Sequence, residues 1–257
     1  MADRPISFVA EMVRALLREI EAPGTGKTQT RRVLKPQPTR TKDTTLAMSS
    51  VPISQNDWSW PTRPGSVIVS MMPYPPKAYL EAFPIRYAPG DRLWVREAWK
   101  SDRAYDDLAP SEMGGDEPLI YMADDEVQRW GGKPDALSRW GRYRQGMHMP
   151  RWASRITLHV TDVRVQRVQE IGEADAKAEG VQYMHAGYHD DDEVFLNYLG
   201  GPDFGGSRAA RESFRTLWDS LNASRGYGWE ANPWVAAIFF RPVLGNIDNL
   251  PSGAPQP

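Results

Sequence analysis

The densest set of reactive groups in the chain lies between Gly24 and Lys35, in the run Gly-Thr-Gly-Lys-Thr-Gln-Thr-Arg-Arg-Val-Leu-Lys. Gly24 and Gly26 let a backbone approach a ligand closely. Lys27 is a candidate base, Thr30 a candidate hydroxyl nucleophile, and Arg31 and Arg32 a candidate clamp for an anion or a polarised carbonyl. No other stretch brings those kinds of group so near one another along the chain. The local charge agrees: from Gly24 to Lys42 there are Lys27, Arg31, Arg32, Lys35, Arg40 and Lys42 and no acid, which suits an anion site and equally suits a solvated basic loop.

The segment Ala-Pro-Gly-Thr-Gly-Lys-Thr ends like a phosphate-binding P-loop, but its context does not fit. That motif needs a glycine three residues before Gly24, a strand leading in and a helix leading out. Glu21 stands where the glycine belongs, and Met12, Val13, Leu16, Leu17 and Ile20 recur at helical spacing before it. Pro36 and Pro38 stop any long helix behind it. An NTPase is therefore set aside.

The composition excludes other classes. With 40% hydrophobic and 25% charged residues the 257-residue chain is globular, and its net charge of −2 provides no global field for long nucleic acid or a membrane surface. It has no cysteine, which removes disulfides, thiolate zinc sites and cysteine nucleophiles. No stretch reads as a signal peptide or a membrane span, so the expected location is cytoplasmic. The pair His185 and His189 with the acids 190–193 has metal-like spacing, but Gly187 and the acidic run oppose a stable helix there, so no metal and no cofactor are expected. His148 and His159 have no visible nucleophile partner.

The elements that must position these groups follow in order. Ile6 to Val9 is a short strand, Ala10 to Glu21 an amphipathic helix, and Pro89-Gly-Asp a turn into a strand in which Leu93 and Val95 alternate with Trp94 and Arg96. Ile156, Leu158 and Val160 mark a further strand, and Val163 and Val165 shift its phase, which predicts a bulge or bend. Ile171 to Gly180 is a short helix closed by a C-cap glycine. Phe214, Leu217, Trp218 and Leu221 define a packed helix, and Val235 to Arg241 a closing strand. Residues 39–85, 100–147 and 185–207 lack sustained periodicity and read as loop-like insertions, the first with one strand at Ser66–Ser70. Strands separated by turns, with few helices, favour an α+β fold built on a small closed barrel with helices at its rim. One domain spans 1–243, followed by a flexible tail at 244–257.

Taken together, Pro5 to Leu34 with Gly-Lys-Thr-Gln-Thr-Arg-Arg, Pro89-Gly-Asp-Arg-Leu-Trp-Val-Arg-Glu, Met149-Pro-Arg-Trp-Ala-Ser-Arg-Ile, Ile171 to Gly180, and Asn232-Pro-Trp-Val resemble the ASCH family. The resemblance is closest to the long ASCH proteins of bacteriophages and prophages. It covers nearly all the ordered blocks and little of the insertions or tail. It implies a PUA-like β-barrel with a ligand cleft and a role in binding RNA or modified nucleosides. A small bacterial relative is an amidohydrolase that removes acetyl from N4-acetylcytidine with a lysine, a threonine and a glutamate. Its Gly-x-Lys-Thr-x-Thr-x-Arg pattern carries the lysine onto Lys27 and the threonine onto Thr30, and the place of its glutamate, in the short helix after the central strand, falls on Glu179. The long insertions depart from that minimal enzyme and put the substrate in doubt.

An amidohydrolase of this kind needs Thr30 to attack the acyl carbonyl and Lys27 to accept its proton, which requires burial or the nearby Arg31 and Arg32 to favour a neutral amine. Glu179 would shuttle a proton to the leaving nitrogen or hold the base edge. Arg31 or Arg32 would bind phosphate or polarise the carbonyl, Trp94 or Trp152 would stack on the base, and Arg96 and Arg155 complete the ligand-binding set. The plain alternatives are a phosphate-contacting turn for Lys27 and Thr30, an exposed helix end for Glu179, core packing for the two tryptophans and a solvated strand edge for Arg155. Two rival functions share the site: a non-catalytic reader or regulator of RNA or modified bases, and a metal-dependent ribonuclease, which lacks a convincing carboxylate cluster.

Overall fold

A computed structural model describes residues 2–37, 44–48, 66–71, 81–125, 127–128, 139–184, 194–199 and 206–251. In chain order the elements are β1 (Asp3–Ser7), α1 (Ala10–Glu21), β2 (Gln29–Val33), β3 (Thr44–Met48), β4 (Ser66–Met71), β5 (Glu81–Pro84), β6 (Arg92–Arg96), β7 (Trp99–Ser101) and β8 (Leu119–Tyr121). They continue with β9 (Val127–Gln128), β10 (Ile156–Arg167), α2 (Glu173–Ala178), β11 (Tyr183–Met184), β12 (Val194–Phe195), α3 (Ala210–Asn222) and β13 (Trp234–Leu244). The fold is mixed α+β with a core made mostly of sheet, and no closed barrel is seen among the described residues. No helix among them is long and apolar enough to cross a membrane.

Contacts divide the chain into two compact units, Met1–Thr28 with Gly90–His159 and Arg241–Pro257, and Gln29–Pro89 with Val160–Phe240. The strands β10 and β13 each begin in one and finish in the other.

In the first unit β1 pairs in parallel with β6, Ile6 opposite Val95, and β6 pairs antiparallel with the start of β10. The Pro-Gly-Asp turn forms as expected: Gly90 takes φ 86°, and the Asp91 carboxylate accepts the Ala2 amide at 2.7 Å. The helix α1 buries Met12, Val13, Ala15 and Leu16, while Leu17 and Ile20 of the expected stripe are half-buried. Residues 100–147, expected as loop, supply most of the antiparallel set β7-β8-β9 and share a core with their flanks: Trp99, Met113, Leu119, Tyr121, Met149 and Ala153, with Tyr105 and Trp152 packed against it. The segment 244–251, read as the start of a tail, packs too. Ile247 is fully buried, and Asn246 Nδ2 donates to the carbonyls of Arg151, Trp152 and Ser154.

In the second unit β2 pairs antiparallel with β13, Thr30 opposite Ile238. The helix α3 buries Phe214, Leu217 and Trp218, and its first amides, of Ala210 and Arg211, donate to the Glu173 carboxylate at the start of α2. Gly180 takes φ 83° just beyond α2, the left-handed C-terminal stop that a glycine there predicts. The stretch 39–85 holds the antiparallel set β3-β4-β5, of which β4 is the strand expected at 66–70.

Candidate functional site

The glycine loop of the first unit is already filled by the chain itself. The Glu19 carboxylate, on α1, accepts the amides of Gly24 at 3.0 Å and Gly26 at 2.9 Å. A carboxylate thus occupies the backbone donors that a phosphate-binding loop would offer to its ligand. Gly26 is required by close packing: a Cβ there would lie 2.2 Å from the Ala15 carbonyl oxygen. Lys27 follows directly. Its amide donates to Ala15 O at 3.0 Å, its side chain is 1% exposed, and Nζ stands 5.7 Å from the Phe8 ring centre.

Four other predicted residues belong to the same unit. Trp94 and Arg96 share one face of β6, the guanidinium 5.0 Å from the indole centre and its Nη1 donating to the Met147 carbonyl at 2.8 Å. Both are half-buried, and together they form an aromatic and cationic surface. Trp152 packs half-buried on the Trp99 core. Arg155 is committed within the unit: it makes bidentate contacts of 2.9 and 3.0 Å to Glu97 and of 2.9 and 2.8 Å to Asp124, and lies 4.0 Å over the Tyr121 ring. Burial opposes the Arg155 cation, but the hydrogen bonds to Glu97 and Asp124 outweigh it and hold its pKa above the ordinary arginine value.

In the second unit β2 presents its side chains alternately to two faces. On one face Arg31, its side chain fully buried, donates from Nη1 to Glu179 at 2.9 Å and from Nη2 to Asp175 at 3.1 Å. Gln29 completes this set, donating to Asp175 at 3.0 Å and accepting from Arg31 at 3.0 Å. Glu179 is 3% exposed, so the reading of it as an exposed helix end is overturned: it is the C-cap residue of α2 and faces the sheet. On the other face of β2 stand Thr30 and Arg32. Arg32 Nη1 donates to Thr30 Oγ1 at 3.2 Å and to the Arg31 carbonyl at 3.4 Å. Burial lowers the Arg32 pKa from its ordinary value; Tyr87 and Glu179 act to raise it, and Arg225 to lower it.

The structure therefore brings Arg31 together with Glu179, and Thr30 together with Arg32, and the alternation of β2 places the two pairs on opposite faces. Asp175 and Gln29 are the members that sequence reasoning missed. Asp175 lies four residues before Glu179 on the same face of a helix, and that spacing is the signal that could have found it. The His185 to Glu193 stretch lies outside the described residues, and among the described residues no group of three His, Asp or Glu could hold a metal ion.

Comparison of the chain with family models, with curated proteins and with solved structures finds no match. The functional reading rests on the motifs and on the geometry above.

Proposed function

We propose that this chain binds a nucleoside, free or within RNA, through the β2 segment, and that its strands belong to a PUA-like barrel of the ASCH type. The observation that carries the reading is the Thr30–Arg32 pair. A half-buried guanidinium whose charge burial disfavours gains from a carbonyl or phosphate oxygen, while Thr30 Oγ1, already accepting from Arg32, has its own proton to donate. A base carbonyl or a backbone phosphate matches both. Within the first unit, the Trp94–Arg96 surface suits by itself the stacking of an unpaired base. The test is fluorescence anisotropy with labelled single-stranded RNA and calorimetry with free nucleosides at low salt. Arg32→Ala is expected to weaken binding about tenfold with the circular-dichroism spectrum unchanged. Absence of binding to either ligand class sinks the proposal.

A narrower reading is favoured by Lys27, a fully buried lysine three residues before a hydroxyl. In it, Thr30 Oγ attacks the acyl carbon of an N4-acylated cytidine, Lys27 takes the hydroxyl proton, and Glu179 shuttles that proton on to N4 as the C–N4 bond breaks. Water then hydrolyses the Thr30 ester and releases the carboxylate. Glu179 stands with Arg31 on the face of β2 opposite Thr30, so this reading adds a rearrangement that frees Glu179 from Arg31 and brings it to the substrate on the Thr30 face. Incubation with N4-acetylcytidine and chromatography for free cytidine decides it. Release that is lost in Thr30→Ala and Lys27→Ala supports the hydrolase, and no release at any enzyme concentration leaves the binding protein.

A further inference from the structure

The core around Trp99 in the first unit contains buried polar atoms that the protein leaves without partners. Trp99 Nε1, Ser101 Oγ and Arg144 Nε are all shielded from water and make no hydrogen bond. Their residues are 0%, 0% and 5% exposed. An unsatisfied buried donor costs about 1–3 kcal/mol, so three in one place call for an acceptor.

The backbone puts them on one face. Trp99 and Ser101 are alternate residues of β7, so their side chains point the same way. Trp99 and Arg144 exchange both backbone hydrogen bonds, at 3.0 and 2.9 Å, which sets their side chains on that same face. The Arg144 guanidinium lies 5.3 Å from the indole centre.

The donor set also says what is missing. An indole N–H and a guanidinium N–H can only donate, and the serine hydroxyl can donate as well. The other Arg144 nitrogens reach only carbonyls: Nη1 reaches Leu108 O at 3.3 Å, and Nη2 reaches Tyr105 O at 2.9 Å and Asp106 O at 3.5 Å. The nearby Asp106 carboxylate is taken by the Arg142 amide at 2.9 and 3.1 Å. Arg144 is thus a buried cation hydrogen-bonded only to carbonyl dipoles; the Asp106 carboxylate favours its charge through space without bonding it, and burial and the neighbouring Arg142 outweigh that help. A neutral water would accept from some of these donors and leave the charge only partly compensated; a small anion answers both needs. The surrounding side chains, Met113, Leu119, Tyr121 and Met149, are apolar or nearly so, and such walls disfavour a doubly charged, strongly hydrated ion.

We infer that Trp99, Ser101 and Arg144 form a buried site for a singly charged small anion of the halide class, which completes the core of residues 99–153. The site is independent of the nucleoside-binding reading.

The experiment has two arms on the full chain. Thermal unfolding is followed as sodium chloride replaces sodium gluconate at constant ionic strength, and crystals soaked in bromide are measured at its absorption edge. The expected results are a Tm that rises with chloride and an anomalous peak within hydrogen-bonding distance of Trp99 Nε1 and Arg144 Nε. Ser101→Ala, a small change that keeps the core filled, is expected to raise the chloride concentration needed for half the effect about tenfold. A Tm indifferent to chloride with no anomalous peak overturns the inference, as does a chloride response that Ser101→Ala and Trp99→Phe both leave unchanged.

Discussion

Glu179 shows how much a single residue depends on a partner far away in sequence. Buried at the end of α2, it is held by Arg31, and removing that cation leaves a carboxylate out of water. Arg31→Ala is therefore expected to cost about 3–5 kcal/mol in urea unfolding, and Glu179→Gln clearly less, because the neutral amide still accepts from Arg31. Asp3 makes a pH-dependent case. Hydrogen bonding to Arg92 is the largest cause of a pKa below its ordinary 3.8; burial opposes it, and Arg151 reinforces it. A depressed carboxylate stabilises the fold above its unfolded value and loses that contribution as pH falls through the folded one. Asp3→Asn should thus lower stability at pH 7 by about 1 kcal/mol and flatten the loss of stability below about pH 4, as read by denaturant titration across pH. Lys27, Thr30, Arg31 and Arg32 stand out in the sequence because they are adjacent in one motif. Asp175, Glu19 and the Trp99, Ser101 and Arg144 donors do not, because their meaning lies in pairings that local sequence does not encode.

At the scale of elements, legibility followed length. The helices α1 and α3 run far enough for Met12, Val13 and Leu16, or Phe214, Leu217 and Trp218, to reveal a 3.6-residue period, β6 and β10 alternate visibly in sequence, and β13 shows as a continuous apolar run. The strands β7 and β8 have three residues each, too few to show any period, so a packed sheet read as loop. The phase change along β10 is real in its burial: Ile156 to Val160 are buried without a break, and the next buried residue is Val163. The joint between α1 and the reactive motif depends on one missing side chain. Gly26→Ala would drive a methyl group into the Ala15 carbonyl and the Glu19 backbone, and is expected to cost about 1–3 kcal/mol in thermal or urea unfolding. If its stability matches the parent chain, the close approach of loop and helix is not what fixes Lys27.

For the whole molecule, pattern reading expects one domain over 1–243, and contacts gather the chain into two units, each drawn from separated segments. Local periodicity cannot report that, because it says which face of an element is buried and not against which distant segment. The same holds for residues 245–251, too short for a pattern yet joined to the first unit through Ile247, Asn246 and the carbonyls of Ile247 and Leu250, which accept from Arg92. A chain ending at Leu244 should lose roughly 3 kcal/mol in urea unfolding, the burial of one isoleucine plus the hydrogen bonds that go with it. Arg151 adds a last consequence. It grips Asp3 near one end of the sequence and Asp248 near the other. In a chain without cysteine, this ionic clasp ties together residues 148 and 97 positions apart, the part a disulfide takes in other proteins. Its chemistry sets its weaknesses: reducing agents leave it closed, whereas concentrated salt and acid loosen the two ends together.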